Sequence, residues 1–65
     1  MEIEEIHDSL VNGQRHQMTD QIDEYGLYDF FEDYSTFLFG LYAETKNQYS
    51  YFKDAVVSYH RIKAR

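Results

Sequence analysis

The sequence predicts an all-α fold, a small helical bundle of three to four helices. Three observations predict it. No proline occurs among the 65 residues. Apolar side chains recur at the three- and four-residue spacing of amphipathic helices. Two of the three glycines directly follow such a run, where helices commonly end. We therefore expect a short N-terminal hairpin and two longer antiparallel helices, forming a single domain over residues 1–65.

Two short amphipathic runs predict the N-terminal hairpin. In the first run the apolar positions share one helix face, at Ile3, Ile6 and Leu10. The same spacing returns from about residue 14, at Met18, Ile22 and Tyr25. Asn12-Gly13 separates the runs and tolerates the left-handed conformation that ends helices, and Gly26 fits the next end. A single helix through Asn12-Gly13 stays possible, since one glycine costs only about 1 kcal/mol relative to alanine.

The third helix is predicted to begin at Asp29. Asp29 and Glu32 resemble a capping box, in which the cap side chain accepts a first-turn N–H and the later carboxylate returns to the cap. Gly40 is expected to permit close approach by another helix rather than to end this one. The main apolar seam follows steps of three and four residues, at Leu27, Phe30, Tyr34, Phe37 and Leu41.

The fourth helix is predicted to run from about Gln48 to Lys63, with Asn47 as its N-cap. The connection before it is short, over residues 45–47, and this favours antiparallel packing of the last two helices. The helix carries two neighbouring apolar seams, one at Tyr49, Phe52, Val56 and Tyr59 and the other at Tyr51, Ala55 and Ile62.

Aromatic residues are concentrated in one part of the chain, with seven Tyr and five Phe, all between Tyr25 and Tyr59. Aromatic side chains carry large apolar area, and a domain of about 60 residues buries only about 60% of its surface. A monomeric core would take up Phe30, Tyr34, Phe37, Phe52, Val56 and Tyr59. The remainder predicts an interface that completes the bundle by homodimerisation or binds a partner, at Phe31, Leu38, Phe39, Tyr42 and Tyr51. Phe39 is the strongest member, because it lies opposite the main seam and has no polar atom.

Charge is unevenly distributed along this acidic chain, whose formal net charge is −6. Residues 1–44 carry eleven acids and one base, whereas residues 45–65 carry one acid and five bases. Complementarity with helix dipoles explains this pattern, and pairing between two copies is the alternative. A nucleic-acid-associated regulator would use the basic C-terminal helix, at Lys53, His60, Arg61, Lys63 and Arg65. The acidic hairpin would alternatively imitate nucleic acid and inhibit a DNA-binding protein.

The sequence contains no motif for catalysis, a metal or a cofactor. There is no cysteine, and His16 with Asp20 supplies two ligands where zinc takes four, or three and water. The histidines His7, His16 and His60 are therefore interpreted as surface residues. The carboxylates are interpreted as solvated helix faces and caps, because a general acid–base pair needs a cleft. We expect a protein without enzymatic activity.

The compartment expected from the sequence is the cytoplasm. The N-terminus lacks the basic and apolar regions of a signal peptide. The longest uncharged stretch, residues 34–43, is far shorter than the roughly 20 residues of a spanning helix. No membrane association is expected.

Three segments of the chain carry a family resemblance: Asn12-Gly13-Gln14-Arg15, Asp29-Phe30-Phe31, and the run from Ser58 to Lys63. With them, most of the chain resembles small uncharacterised proteins encoded by tailed bacteriophages and prophages. The resemblance implies an accessory gene product that binds a host or phage protein, and it implies no catalytic residue.

Overall fold

A computed structural model describes residues 2–64, and the side chains of residues 3–64. Four helices span these residues: α1 (Glu2–Val11), α2 (Arg15–Tyr25), α3 (Leu27–Leu41) and α4 (Thr45–Lys63). No strand occurs among them. The prediction of an all-α helical bundle is confirmed. No helix in the described part of the chain combines the length and the apolarity needed to cross a membrane.

Two glycines with positive φ separate the first three helices. Gly13 has φ +79° and follows the end of α1 at Val11, so Asn12-Gly13 breaks the first helix. Gly26 has φ +98° and joins α2 to α3 by itself. Its N–H donates to the Ile22 carbonyl and its own carbonyl accepts the Phe30 N–H. One residue thus ends one helix and begins the next.

The starts of α3 and α4 differ from the predicted ones. α3 begins at Leu27, two residues before Asp29, because the Gly26 carbonyl already accepts a helical hydrogen bond. Asp29 therefore lies in the first turn, where a negative charge is favourable to the helix dipole, and it is not the cap. α4 begins at Thr45 with Glu44 as its N-cap, and Asn47 lies inside the first turn.

The core contains residues from every helix. α1 and α2 supply the smaller aliphatic members and α3 the largest aromatic ones, so that the buried set is Ile3, Ile6, Leu10, Met18, Ile22, Phe30, Tyr34, Leu38 and Ala55. Burial of one such large side chain contributes roughly 1.5–3 kcal/mol. α4 adds only Ala55 to this apolar set, and its larger rings lie half-buried at the edge of the core.

Two contacts show that α3 and α4 run antiparallel. The rings of Phe31 and Phe52 lie 5.4 Å apart in an edge-on arrangement. Near the connection between the two helices, the Gln48 side-chain amide donates to the Tyr42 carbonyl at 2.6 Å. The start of α3 therefore lies beside the middle of α4, whereas the end of α3 lies beside the first turn of α4. This order fixes which surface side chains face each other across the hairpin.

Polar contacts hold α4 against α2. Arg15 donates through Nε to the Ser58 hydroxyl at 3.0 Å and through Nη2 to Asp54 at 3.2 Å. Near the C-terminus, the Tyr59 hydroxyl donates to Asp23 at 2.8 Å. Such exposed pairs contribute about 0–1 kcal/mol each. They orient α4, and most of the stability comes from the apolar core.

Candidate protein-interaction surface

An open groove lies between α3 and α4 and has a volume of about 220 Å³. Its lining is Ser35, Leu38, Thr45, Gln48, Tyr49 and Phe52. Ser35 and Thr45 are short, so they leave space above the larger Leu38 and Phe52 side chains. We call this feature the α3–α4 groove. Its surface is mainly apolar, which is typical of the centre of a protein-binding site.

Two exposed aromatic rings lie beside the α3–α4 groove. Phe39 is 75% exposed and Tyr49 is 66% exposed. Phe39 follows Ser35 by four residues on α3, which places the two side chains one above the other on the same face. Tyr49 itself lines the groove from α4. An apolar cleft with exposed rings at its edge marks a surface suited to contact with another protein.

The two edges of the α3–α4 groove carry opposite charges. Glu32 on α3 and Lys53 on α4 are both exposed. Each follows directly after one of the two rings in contact, Phe31 and Phe52. Glu32 and Lys53 therefore lie at about the same level along the hairpin, on opposite edges.

The structure places the five predicted interface residues in three different environments. Phe39 is exposed, as the sequence predicted. Leu38 is only 1% exposed and belongs to the core, although it forms part of the groove lining. Phe31, Tyr42 and Tyr51 are half-buried and lie against the core. The expectation that one chain leaves all these side chains uncovered is thus corrected, because α4 and α1 cover most of them.

The interpretation of all three histidines as surface residues is wrong for His7, which is buried. It is 4% exposed and lies among aromatic rings of α3 and α4. Its Nδ1 is 2.8 Å from the Tyr34 hydroxyl and its Nε2 is 3.3 Å from the Tyr42 hydroxyl. A neutral imidazole donates through one nitrogen and accepts through the other. Both ring nitrogens thus have partners, and His7 links α1 to the middle of α3 at Tyr34 and to the residue just after α3, Tyr42.

The sequence contains a weak signal for this burial. His7 lies four residues after Ile3 and three before Leu10, so it belongs to the buried face of α1. Its hydroxyl partners are 27 and 35 residues away along the chain. No local pattern identifies them, and an isolated polar residue is not expected in a core unless such partners exist.

Burial of His7 predicts a stability that depends on pH. Burial lowers the pKa of His7 below its ordinary value of 6.5, and nearby Asp8 opposes that shift. Below about pH 6.5 the unfolded chain therefore binds more protons than the folded one, and stability falls as the pH decreases. The limiting slope for one proton is about 1.4 kcal/mol per pH unit. Urea denaturation at several pH values measures this slope.

The histidine variants separate this effect from other titrations. His7→Gln removes the ionisable group, so its urea midpoint should change less between about pH 7 and about pH 5.5 than that of the wild type. His16→Gln is the matched control, because His16 is exposed, and it should keep the wild-type slope. An unchanged slope in His7→Gln would show that another group causes the pH dependence.

The predicted nucleic-acid contacts are only partly available on the surface. Lys53, His60 and Arg61 are exposed on α4. Lys63 forms an ion pair with Asp23 at 2.5 Å, and this contact, with the Tyr59 hydroxyl, lowers the pKa of Asp23. Arg65 lies outside the described residues. The exposed bases are few, and the charge of Lys63 is already partnered.

Over the described residues, no group of three or more His, Cys, Asp or Glu side chains is arranged to hold a metal ion. Comparison of the chain with protein-family models, with curated proteins and with solved structures finds no match.

Proposed function

We propose that this protein is a small, non-enzymatic protein-interaction module that acts as a homodimer in the cytoplasm. The observation that carries the proposal is the apolar α3–α4 groove with Phe39 exposed beside it. A phenyl ring has no polar atom that could form a hydrogen bond with water, and its burial at an interface contributes to binding. Phe39 lies on one of the two helices from which the sequence predicts a dimer.

The available area is compatible with a stable dimer. The accessible surface of the chain is 4602 Å². A standard interface buries about 800 Å² of each partner, which is roughly a sixth of this surface. The proposed interface lies on the outer sides of α3 and α4, with the groove between them, and leaves the acidic sides of α1 and α2 uncovered.

The acidic hairpin supports the second part of the proposal, an accessory protein of the bacteriophage type that binds a host or phage protein. Several carboxylates on α1 and α2 are exposed, at Glu4, Glu5, Asp8, Asp20 and Glu24. Such a surface attracts a basic partner through long-range electrostatics. A dimer through α3 and α4 presents two copies of it.

Molecular mass in solution tests the homodimer. At micromolar concentration, size-exclusion chromatography with light scattering should give twice the chain mass of 7.9 kDa. Dilution should shift the mass towards that of one chain, because the interface is of standard size and the association is reversible. A mass of one chain at every concentration would contradict the proposal.

The alternative is a nucleic-acid-associated regulator that uses the basic side of α4. Lys53, His60 and Arg61 are exposed there and support it. The net charge of −6 opposes it, since phosphate binding depends on an excess of positive charge. Salt-dependent binding of DNA by the wild-type chain would favour this alternative.

A further inference from the structure

We infer that a second copy of this chain covers the α3–α4 groove, related by a two-fold axis parallel to the helices. In this arrangement α3 of each protomer lies over α4 of the other. The inference rests on the proposed homodimer and specifies its geometry. Two features of the described surface support it, its shape and the placement of its charges.

One chain presents both a projecting ring and a recess large enough to hold it. Phe39 projects from α3, and the recess begins beside it, at Ser35 and Leu38. A volume of about 220 Å³ accommodates a phenyl group. Tyr49 and Phe52 offer aromatic surface inside it, with which a ring packs favourably. In a two-fold dimer each Phe39 enters the groove of the other copy, so the contact is made twice.

The charges on the two edges of the groove select the direction of the two-fold axis. Rotation about a two-fold axis parallel to the helices does not change the position of a residue along the helix direction. It places the α3 edge of one groove opposite the α4 edge of the other. Glu32 of one copy then meets Lys53 of the second copy, because these residues lie at the same level on opposite edges. A two-fold axis perpendicular to the helices would place α3 of one copy over α3 of the other, so the two acidic edges would face each other. Juxtaposed like charges oppose binding.

The first test removes the projecting ring in one variant and fills the recess in another, and it measures self-association of each. Phe39→Ala removes the ring and leaves the groove, whereas Ser35→Trp fills the groove and leaves the ring. Each variant should weaken self-association on the order of 100-fold, since central aromatic contacts dominate interfaces. A one-to-one mixture should form a heterodimer more tightly than either variant pairs with itself, because one of the two ring-in-groove contacts is restored.

The second test addresses the axis and uses exposed residues that are not needed for folding. Glu32→Lys and Lys53→Glu should each weaken the dimer by about tenfold, through repulsion between like charges. The double variant should recover wild-type affinity, because opposite charges face each other again. Gln17→Lys is the control and should leave the affinity unchanged, because Gln17 is exposed on α2, outside the two helices of the inferred interface. Circular dichroism verifies that each variant is folded.

The outcomes separate the inference from the proposed homodimer. A wild-type chain that is monomeric at all concentrations overturns both. A wild-type dimer that Phe39→Ala and Ser35→Trp leave intact overturns the inference alone, since the interface then lies elsewhere. A dimer that both charge reversals weaken, and that the double variant does not recover, excludes the axis parallel to the helices.

Discussion

Phe30→Ala is expected to destabilise the fold by about 3–5 kcal/mol, the usual cost of truncating a buried phenylalanine. Phe30 is fully buried, and its ring lies 5.0 Å from Tyr34 and 5.2 Å from Phe31. A core of this size supplies only about 3–5 kcal/mol in total. We therefore expect Phe30→Ala to be largely unfolded at room temperature, as measured by thermal denaturation followed by far-UV circular dichroism.

Tyr28→Ala is the matched control for this prediction. Tyr28 lies on the same helix and is 88% exposed, so its truncation should change stability by no more than about 0.5 kcal/mol. Both variants must be compared at a protein concentration low enough for the chain to be monomeric, because Tyr28 shares a face of α3 with Ser35 and dimerisation would make the midpoint depend on concentration. Equal midpoints for the two variants would contradict the core position of Phe30.

Gly26→Ala is expected to cost about 1–3 kcal/mol, the usual range for a residue with a side chain in such a backbone conformation. The φ and ψ angles of Gly26 are +98° and +123°. An added Cβ would be 3.7 Å from the nearest atom outside the adjoining residues, an ordinary contact. The cost therefore comes from backbone conformation and not from crowding. Urea denaturation of the two proteins measures the difference.

Gly40→Ala should have the opposite sign. Gly40 lies inside α3 without positive φ, and a Cβ there would contact nothing within 4 Å. Alanine in a helix interior is more stable than glycine by about 1 kcal/mol. A stabilised Gly40→Ala beside a destabilised Gly26→Ala would confirm the different roles of the two glycines. Destabilisation by Gly40→Ala would instead show that a close contact is present in solution, as the sequence predicted for this position.

The positions at which the first two helices end were predictable because they depend on local backbone conformation. Asn12-Gly13 and Gly26 follow amphipathic runs, and at both sites the glycine has positive φ. The starts of α3 and α4 were predicted less well. Side chains such as Asp29 and Asn47 favour caps, but the backbone of Gly26 and Glu44 already supplies those positions. A cap preference decides a boundary only where no stronger backbone signal lies nearby.

The candidate site was predicted in part. The exposure of Phe39 follows from its position on α3 opposite the main seam, and the structure agrees. The groove beside it was not predicted, because it arises where the short side chains of Ser35 and Thr45 meet from two helices. The opposed edge charges of Glu32 and Lys53 likewise depend on the level at which the two helices pack.

The sequence alone predicted an all-α bundle with a helix end at Gly26, and it favoured a break at Asn12-Gly13 while leaving a continuous helix possible there. Helical periodicity and glycine conformation act over a few residues, so both can be read locally. Only the tertiary structure decided which aromatic rings are covered, and that His7 is buried with Tyr34 and Tyr42 as partners. Those contacts join residues 27 and 35 positions apart, and their formation depends on how the helices pack rather than on any local preference.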